Sequence, residues 1–401
     1  MFRDNELDTI EVSTSHVKLR VVCFILALAL ALGGIGYGVA QLIHKKEGYY
    51  EIKPASSDDA QQYATGVTFL YYMEGGSNEI GVQLNQLKDV YGTALLRAYK
   101  LLDAETEYEG YANIATLNAS AGKKVQVGEE LYNVLRDALN KTRERCGYNM
   151  FAGALYSEWN SILSLDDATE FDPANNGKMA RRLKRLAEET AKLEHFELRF
   201  DESEHSVELW ISPEYRAFLD ENGFNGGVLD LNLLSEAYRI TIARDELERS
   251  GFGNGYISSD SGLTLSLSAH VGGEYCMYAL KDGQITQAAR TPSEPGSACS
   301  VFRSFAMSDG EVMYHTFEKD GKALHRHPCF VTATGEFAEV LEASCAVRYD
   351  GSLADACYAN VALYNAASRE AVCDIADRLD CAIVCAFWDG SFYSSPAGFG
   401  R

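Results

Sequence analysis

Ala346-Val-Arg-Tyr349, Leu353-Ala-Asp-Ala-Cys-Tyr-Ala-Asn-Val-Ala-Leu-Tyr364 and Ala382-Ile-Val-Cys-Ala-Phe387 decide the fold class. The first and third are short runs rich in β-branched and aromatic residues and read as strands. The second, continued to Leu379, keeps apolar residues at helical spacing and reads as a helix. A last hairpin arm follows at Ser391 to Ser394. Upstream, the Gly/Ser-rich stretch from Gly251 to about Cys276 and the segments Ser300 to Phe305 and Val312 to Phe317 read as strands joined by turns. Glu197-Leu-Arg-Phe200 and Ser206-Val-Glu-Leu-Trp-Ile211 flank a polar turn and read as a β-hairpin. Asp172-Pro173 offers an N-cap and a first-turn proline for a basic helix through Met179, Leu183 and Leu186. A second helix starts at Gly128 with Leu131, Val134, Leu135 and Ala138 on one stripe, and a third carries Leu84, Leu87, Val90, Tyr91, Ala94 and Leu95. Val67-Thr-Phe-Leu-Tyr-Tyr72, closed by Gly75-Gly76, is the first strand. This mixture predicts an α+β fold of mixed, largely antiparallel sheets with flanking helices.

Ahead of that body lies the uncharged run Val21 to Ile43, bracketed by Lys18 and Arg20 and by His44, Lys45 and Lys46. At about 1.5 Å per residue it spans a hydrocarbon core of roughly 30 Å, so one transmembrane helix is expected. Basic flanks of similar size orient it only weakly. A short polar N-terminus, one span and a long domain form the layout of a signal anchor, which places the bulk of the chain outside the cytoplasm at the cell membrane. Gly38-Val-Ala40 also has the form of a cleavage site. Residues 1–20 read as a tail, 21–43 as the anchor, 44–63 as a linker and 64–401 as the folded domain.

The net charge is -22, spread along the chain, and such a surface repels nucleic acid. Only seven prolines argue against a disordered stalk. Ten cysteines contain no CxxC pair, and Cys381 and Cys385 sit in a strand-like run, so structural thiols or disulfides are expected rather than a metal knuckle. The chain has no GxSxG, HExxH, Walker loop or dinucleotide fingerprint. Gly251-Phe-Gly-Asn-Gly255 reads as a turn. His325 and His327 share a face if the segment is a strand and could together hold a metal.

The order of segments resembles the FAD:protein FMN transferase family, the ApbE-type flavin transferases. A Tyr followed by Ser-Glu-Ile-x-x-Leu-Asn is matched by Tyr108 and Ala112-Asn-Ile-Ala-Thr-Leu-Asn118. Gly-Ala-Phe-Asp-Ile-Thr with a later Trp is matched by Cys146-Gly-Tyr-Asn-Met-Phe151 and Trp159. Asp-Leu-Gly-Gly-Ile-Ala-Lys-Gly-Tyr is matched by Asp230-Leu-Asn-Leu-Leu-Ser-Glu-Ala-Tyr238, and a later glycine-paired strand by Tyr256-Ile-Ser-Ser-Asp-Ser-Gly262. Leu-Ala-Asp-Ala with a Thr four residues beyond the Asp is matched by Leu353-Ala-Asp-Ala356 followed by Ala359 and Asn360.

The resemblance implies an ApbE-like fold over residues 64 to 400, attachment of FMN from FAD to Ser or Thr of an extracytoplasmic flavoprotein, and use of magnesium. It assigns Tyr108, Asn118, Tyr148, Asp230, Glu236, Tyr238, Ser258 and Ser259 to the cofactor cleft, and Asp355 with Asn360 to the metal. Read without it, Asp355 is a helix cap, the tyrosines are core aromatics and Asp230 is a strand-end carboxylate. Several positions depart from the family. Asn232 and Leu233 replace the glycine pair, Glu236 replaces the Lys that faces a pyrophosphate, Ala359 replaces the Thr, Val331 stands for an Asp, and Asn149 replaces another. A carboxylate beside a diphosphate repels it, and one carboxylate does not make a magnesium site. The expectation is a divergent member with FMN transfer weakened or lost, or else a non-catalytic module that binds a flavin or a partner.

Overall fold

The computed structural model describes residues 47–54, 66–270 and 272–396. The 21–43 anchor and the tail before it lie outside the described residues; among the described ones no helix is long and apolar enough to cross a membrane. The chain divides into two units, residues 1–48 with 73–83 and residues 49–72 with 84–401. In the first, the described part is a strand end and the opening of a helix, where the Gly76 N–H donates to Glu79 Oε2 at 2.9 Å. The second carries the sheets and cavities.

An eight-stranded sheet runs β1 (Gly48–Glu51), β2 (Val67–Met73), β3 (Gly255–Ser259), β4 (Leu263–Ser266), β5 (Ala298–Arg303), β6 (Leu341–Arg348), β7 (Ala382–Phe387) and β8 (Phe392–Ser394), so its spatial order equals chain order. From β2 onward each strand pairs antiparallel with the next. The principal helices are α1 (Ser77–Leu102), α2 (Ile114–Ala119), α3 (Gly128–Arg143), α4 (Gly153–Leu163), α5 (Gly177–Thr190), α6 (Leu233–Arg249), α7 (Leu353–Tyr364) and α8 (Arg369–Arg378). The α+β reading with antiparallel sheets therefore holds.

Strands β6 and β7 are buried along nearly their whole length, which is why they read as unbroken apolar runs. Ala343, Cys345, Val347, Ala382, Val384 and Ala386 face Tyr275, Met277 and Ala279 of a hairpin formed by Glu274–Lys281 and Gln284–Pro292. Helix α7 covers the opposite face. A second, three-stranded sheet orders Lys124–Gln126, Ser206–Ile211 and Phe196–Asp201, and contains the expected hairpin.

Three readings differ from expectation. Gly48–Glu51, expected as linker ahead of a first strand at Val67, is strand β1 of the sheet. The single helix Leu353 to Leu379 is two, because Ser368 takes an extended backbone and its Oγ accepts the Ala371 N–H at 3.2 Å to start α8. Asp172 does not cap α5. Asn176 does, accepting from Lys178 and Met179, while Asp172 is buried against Arg326 at 2.6 Å. Among the described cysteines all are free thiols, and Cys299 and Cys345 lie 3.5 Å apart at their Sγ atoms without a bond.

Candidate functional site

The site grows from the loop that precedes α6. Asn118, at the end of α2, accepts the Leu229 N–H at 2.8 Å and donates to the Leu229 carbonyl at 2.9 Å. Gly227 is required beneath this clamp, since a Cβ there would stand 2.1 Å from Asn118 Nδ2. The clamp presents Asp230, whose N–H donates to the Met150 carbonyl at 2.9 Å and whose Oδ1 accepts the Asn232 N–H at 2.7 Å. Burial pushes the Asp230 carboxyl pKa up, against the pull of Arg239. Asn232 itself has φ +46° and ψ -122°, a backbone that suits glycine.

Two hydrogen-bonded groups follow along α6. Glu236 Oε2 accepts from Ser261 Oγ at 2.5 Å, and Ser261 Oγ lies 2.7 Å from Ser259 Oγ. Ser258, the neighbour in β3, is paired between Thr68 and Thr264. Two residues after Glu236 comes Tyr238, whose hydroxyl donates to Asp137 Oδ2 at 2.5 Å. Asp137 in turn holds the Lys141 ammonium at 2.8 and 2.7 Å, and Lys141 Nζ reaches Asp355 Oδ1 at 2.6 Å. Ser352 Oγ donates to the other Asp355 oxygen at 2.7 Å. Burial raises the Asp355 carboxyl pKa, but the hydrogen bonds from Lys141 and Ser352 outweigh it and hold it below the usual carboxylate range. Asp137 and Lys141 did not figure among the expected site residues. Their signal was a lysine continuing the apolar stripe Val134 and Ala138 at helical spacing.

Other expected residues stand elsewhere. Asn360 is fully buried between α7 and the sheet, donating to the Ser300 carbonyl and Oγ at 2.8 Å each and accepting from Ser344 Oγ at 2.6 Å, so its amide is used within the core. Tyr108 donates to Asp103 Oδ2 at 2.6 Å. Tyr148 is buried and its hydroxyl reaches the Leu231 carbonyl at 3.4 Å. His325 and His327 do not converge: His325 stacks on Trp388, with ring centroids 3.9 Å apart, while His327 packs between Phe337 and Tyr364.

Among the described residues no group of His, Cys, Asp and Glu is arranged to hold a metal ion. The residues present do not fit magnesium, because Asp355 is bound by an ammonium, Asn360 is used in the core and Ala359 offers no side-chain oxygen.

Three cavities meet here. One of about 600 Å³ is lined by Cys146, Gly147, Tyr148, Thr332, Asn365 and Arg378 among others. Another of about 340 Å³ is lined by Leu233, Ser261, Phe302, Tyr314, His327 and Cys329 among others. Between them is a space of about 10 Å³ bounded by Gly147, Tyr148 and Thr332 on the first side, Leu233, Pro328 and Cys329 on the second, and Asn232. That is room for roughly one water. Asn232 and Leu233 therefore sit at the constriction between the two larger chambers.

No protein-family model and no curated protein matches the chain. Solved structures do. It is similar to the ApbE protein of Thermotoga maritima at 14% identity, covering 88% of this chain and 99% of that one, with a TM-score of 0.59. The apo flavinyl transferase ApbE of Pseudomonas stutzeri matches at 14% identity over 89% of this chain and 96% of its own, TM-score 0.55. The flavin transferase ApbE of Vibrio cholerae matches at 10% identity over 88% and 98%, TM-score 0.55. The chain has the fold of the ApbE flavin transferases.

Proposed function

We propose that this is a membrane-tethered, extracytoplasmic protein built on the flavin transferase fold, in which transfer of FMN from FAD to Ser or Thr of a flavoprotein is weakened or lost. The observation that carries this is the constriction at Asn232 and Leu233, which leaves about 10 Å³ between the two larger chambers, too little for one dinucleotide to occupy both. Asp260 lines the smaller chamber and Glu236 accepts from Ser261 of its wall, carboxylates that would repel a diphosphate. The test is incubation of the purified protein with FAD, magnesium and a target flavoprotein, followed by in-gel flavin fluorescence. No fluorescent target is expected; robust labelling would overturn the proposal.

A second reading, a non-catalytic flavin-binding module, is favoured by the smaller chamber. Its volume falls at the lower end for ligand pockets, and Phe302, Met313 and Tyr314 give it an apolar, aromatic wall. His327 Nδ1 accepts the Cys329 N–H at 3.3 Å, which puts the ring proton on Nε2. Burial, then Arg326 and His325, push the His327 pKa down to about 3 and keep the ring neutral. Such a chamber suits a ring system better than its phosphates, so riboflavin should quench tryptophan fluorescence at least as effectively as FAD. The absence of saturable quenching by FAD, FMN and riboflavin alike would leave partner binding.

A further inference from the structure

We infer that the Lys141 ammonium is the resident cation of this site, standing between Asp137 and Asp355 where a divalent ion would need to sit, and that it makes the protein indifferent to divalent metal. This rests on the reading of Asp355 as the carboxylate of the metal-bearing landmark. All four carboxylate oxygens are already engaged. Asp137 Oδ1 and Oδ2 both accept from Lys141, and Oδ2 accepts from Tyr238 as well. Asp355 Oδ1 takes Lys141, and Oδ2 takes Ser352.

The lysine is held there by more than charge. Its side chain is 6% exposed, whereas those of Asp137 and Asp355 are 45% and 40% exposed, so the cation is the buried partner and the anions face outward. The stem leaves the apolar stripe of α3, and the ammonium lies 5.9 Å from the Tyr358 ring centroid. Magnesium demands near-octahedral oxygens at about 2.0–2.1 Å, and a second cation at that distance from the ammonium would be repelled. Metal could enter only by expelling the lysine. Two carboxylates and one ammonium also leave the cluster net negative, so it offers no attraction to a phosphate.

The test is a titration of the full-length protein with Mn²⁺, read by electron paramagnetic resonance at constant ionic strength and without flavin, so that it is independent of FMN transfer. The parent should take up no more Mn²⁺ at this site than Asp355→Asn. Lys141→Ala, which removes the ammonium and keeps both carboxylates, should gain a site at least about ten-fold tighter, lost again in Lys141→Ala/Asp355→Asn. Tight, Asp355-dependent binding in the parent would overturn the inference, and so would a folded Lys141→Ala chain that gains no site. Should Lys141→Ala fail to fold, the comparison of the parent with Asp355→Asn decides alone.

Discussion

Asn118 and Leu229, 111 residues apart, are joined by paired hydrogen bonds, one to the Leu229 N–H and one to its carbonyl. A side-chain amide here does what a neighbouring β-strand does for a peptide unit, and it fixes the loop from which Asp230 and Asn232 enter the site. Asn118→Ala should leave a buried backbone pair unsatisfied and lower stability by about 1–3 kcal/mol. Urea denaturation measures this, and an unchanged midpoint would show that water replaces the amide at no cost.

Asn232→Gly should have the opposite sign. A non-glycine residue at φ +46°, ψ -122° carries strain of order 1–3 kcal/mol, against about 0.5–1 kcal/mol for the greater unfolded freedom of glycine. A net gain of about 1 kcal/mol in the same denaturation experiment is expected. A loss would mean that the side chain's contacts at the constriction exceed the backbone strain.

Asn360 is read as a core pin rather than a metal ligand. Asn360→Ala should strip partners from the Ser300 and Ser344 hydroxyls and destabilise the protein by about 1–3 kcal/mol, with magnesium neither worsening nor relieving the loss. A melt in which added magnesium stabilises the parent but not Asn360→Ala would restore the ligand assignment.

Much of the strand order was legible because buried strands carry their own pattern, whereas the exposed strands Gly48–Glu51 and Gln284–Pro292 gave no such signal. Ala382 to Phe387 was placed at its observed bounds because a run of six residues ending before Asp389-Gly390 is too short for a usual buried helix. Asn360 was misleading for the same reason that it is stable: its polarity in an apolar helix draws attention, while the serines that satisfy it come from strands that only the tertiary fold brings together. Lys141 showed only as a lysine in an apolar stripe and not as a site residue. A lysine in an apolar stripe becomes significant only when another helix places Asp355 opposite it. The break at Ser368 was missed because Ala366 and Ala367 favour continuing the helix, and only the serine cap stops it.

Acid stability should report His327. Its folded pKa of about 3 lies below its ordinary value of 6.5, so between these the unfolded chain binds more protons and stability falls as the pH drops. The contribution is complete above pH 6.5 and is lost progressively toward pH 3. His327→Phe should therefore show a shallower decline in urea midpoint between pH 7 and pH 4 than the parent does. Identical slopes would mean that the ring is already charged in the fold.

The constriction is tested most directly by titrating FAD into the parent and into Asn232→Gly/Leu233→Gly, following flavin fluorescence without magnesium. No saturable FAD binding is expected for the parent and clear saturation for the double variant, which lacks the two side chains standing between the chambers. Tight FAD binding by the parent, unchanged by the two substitutions, would contradict this expectation.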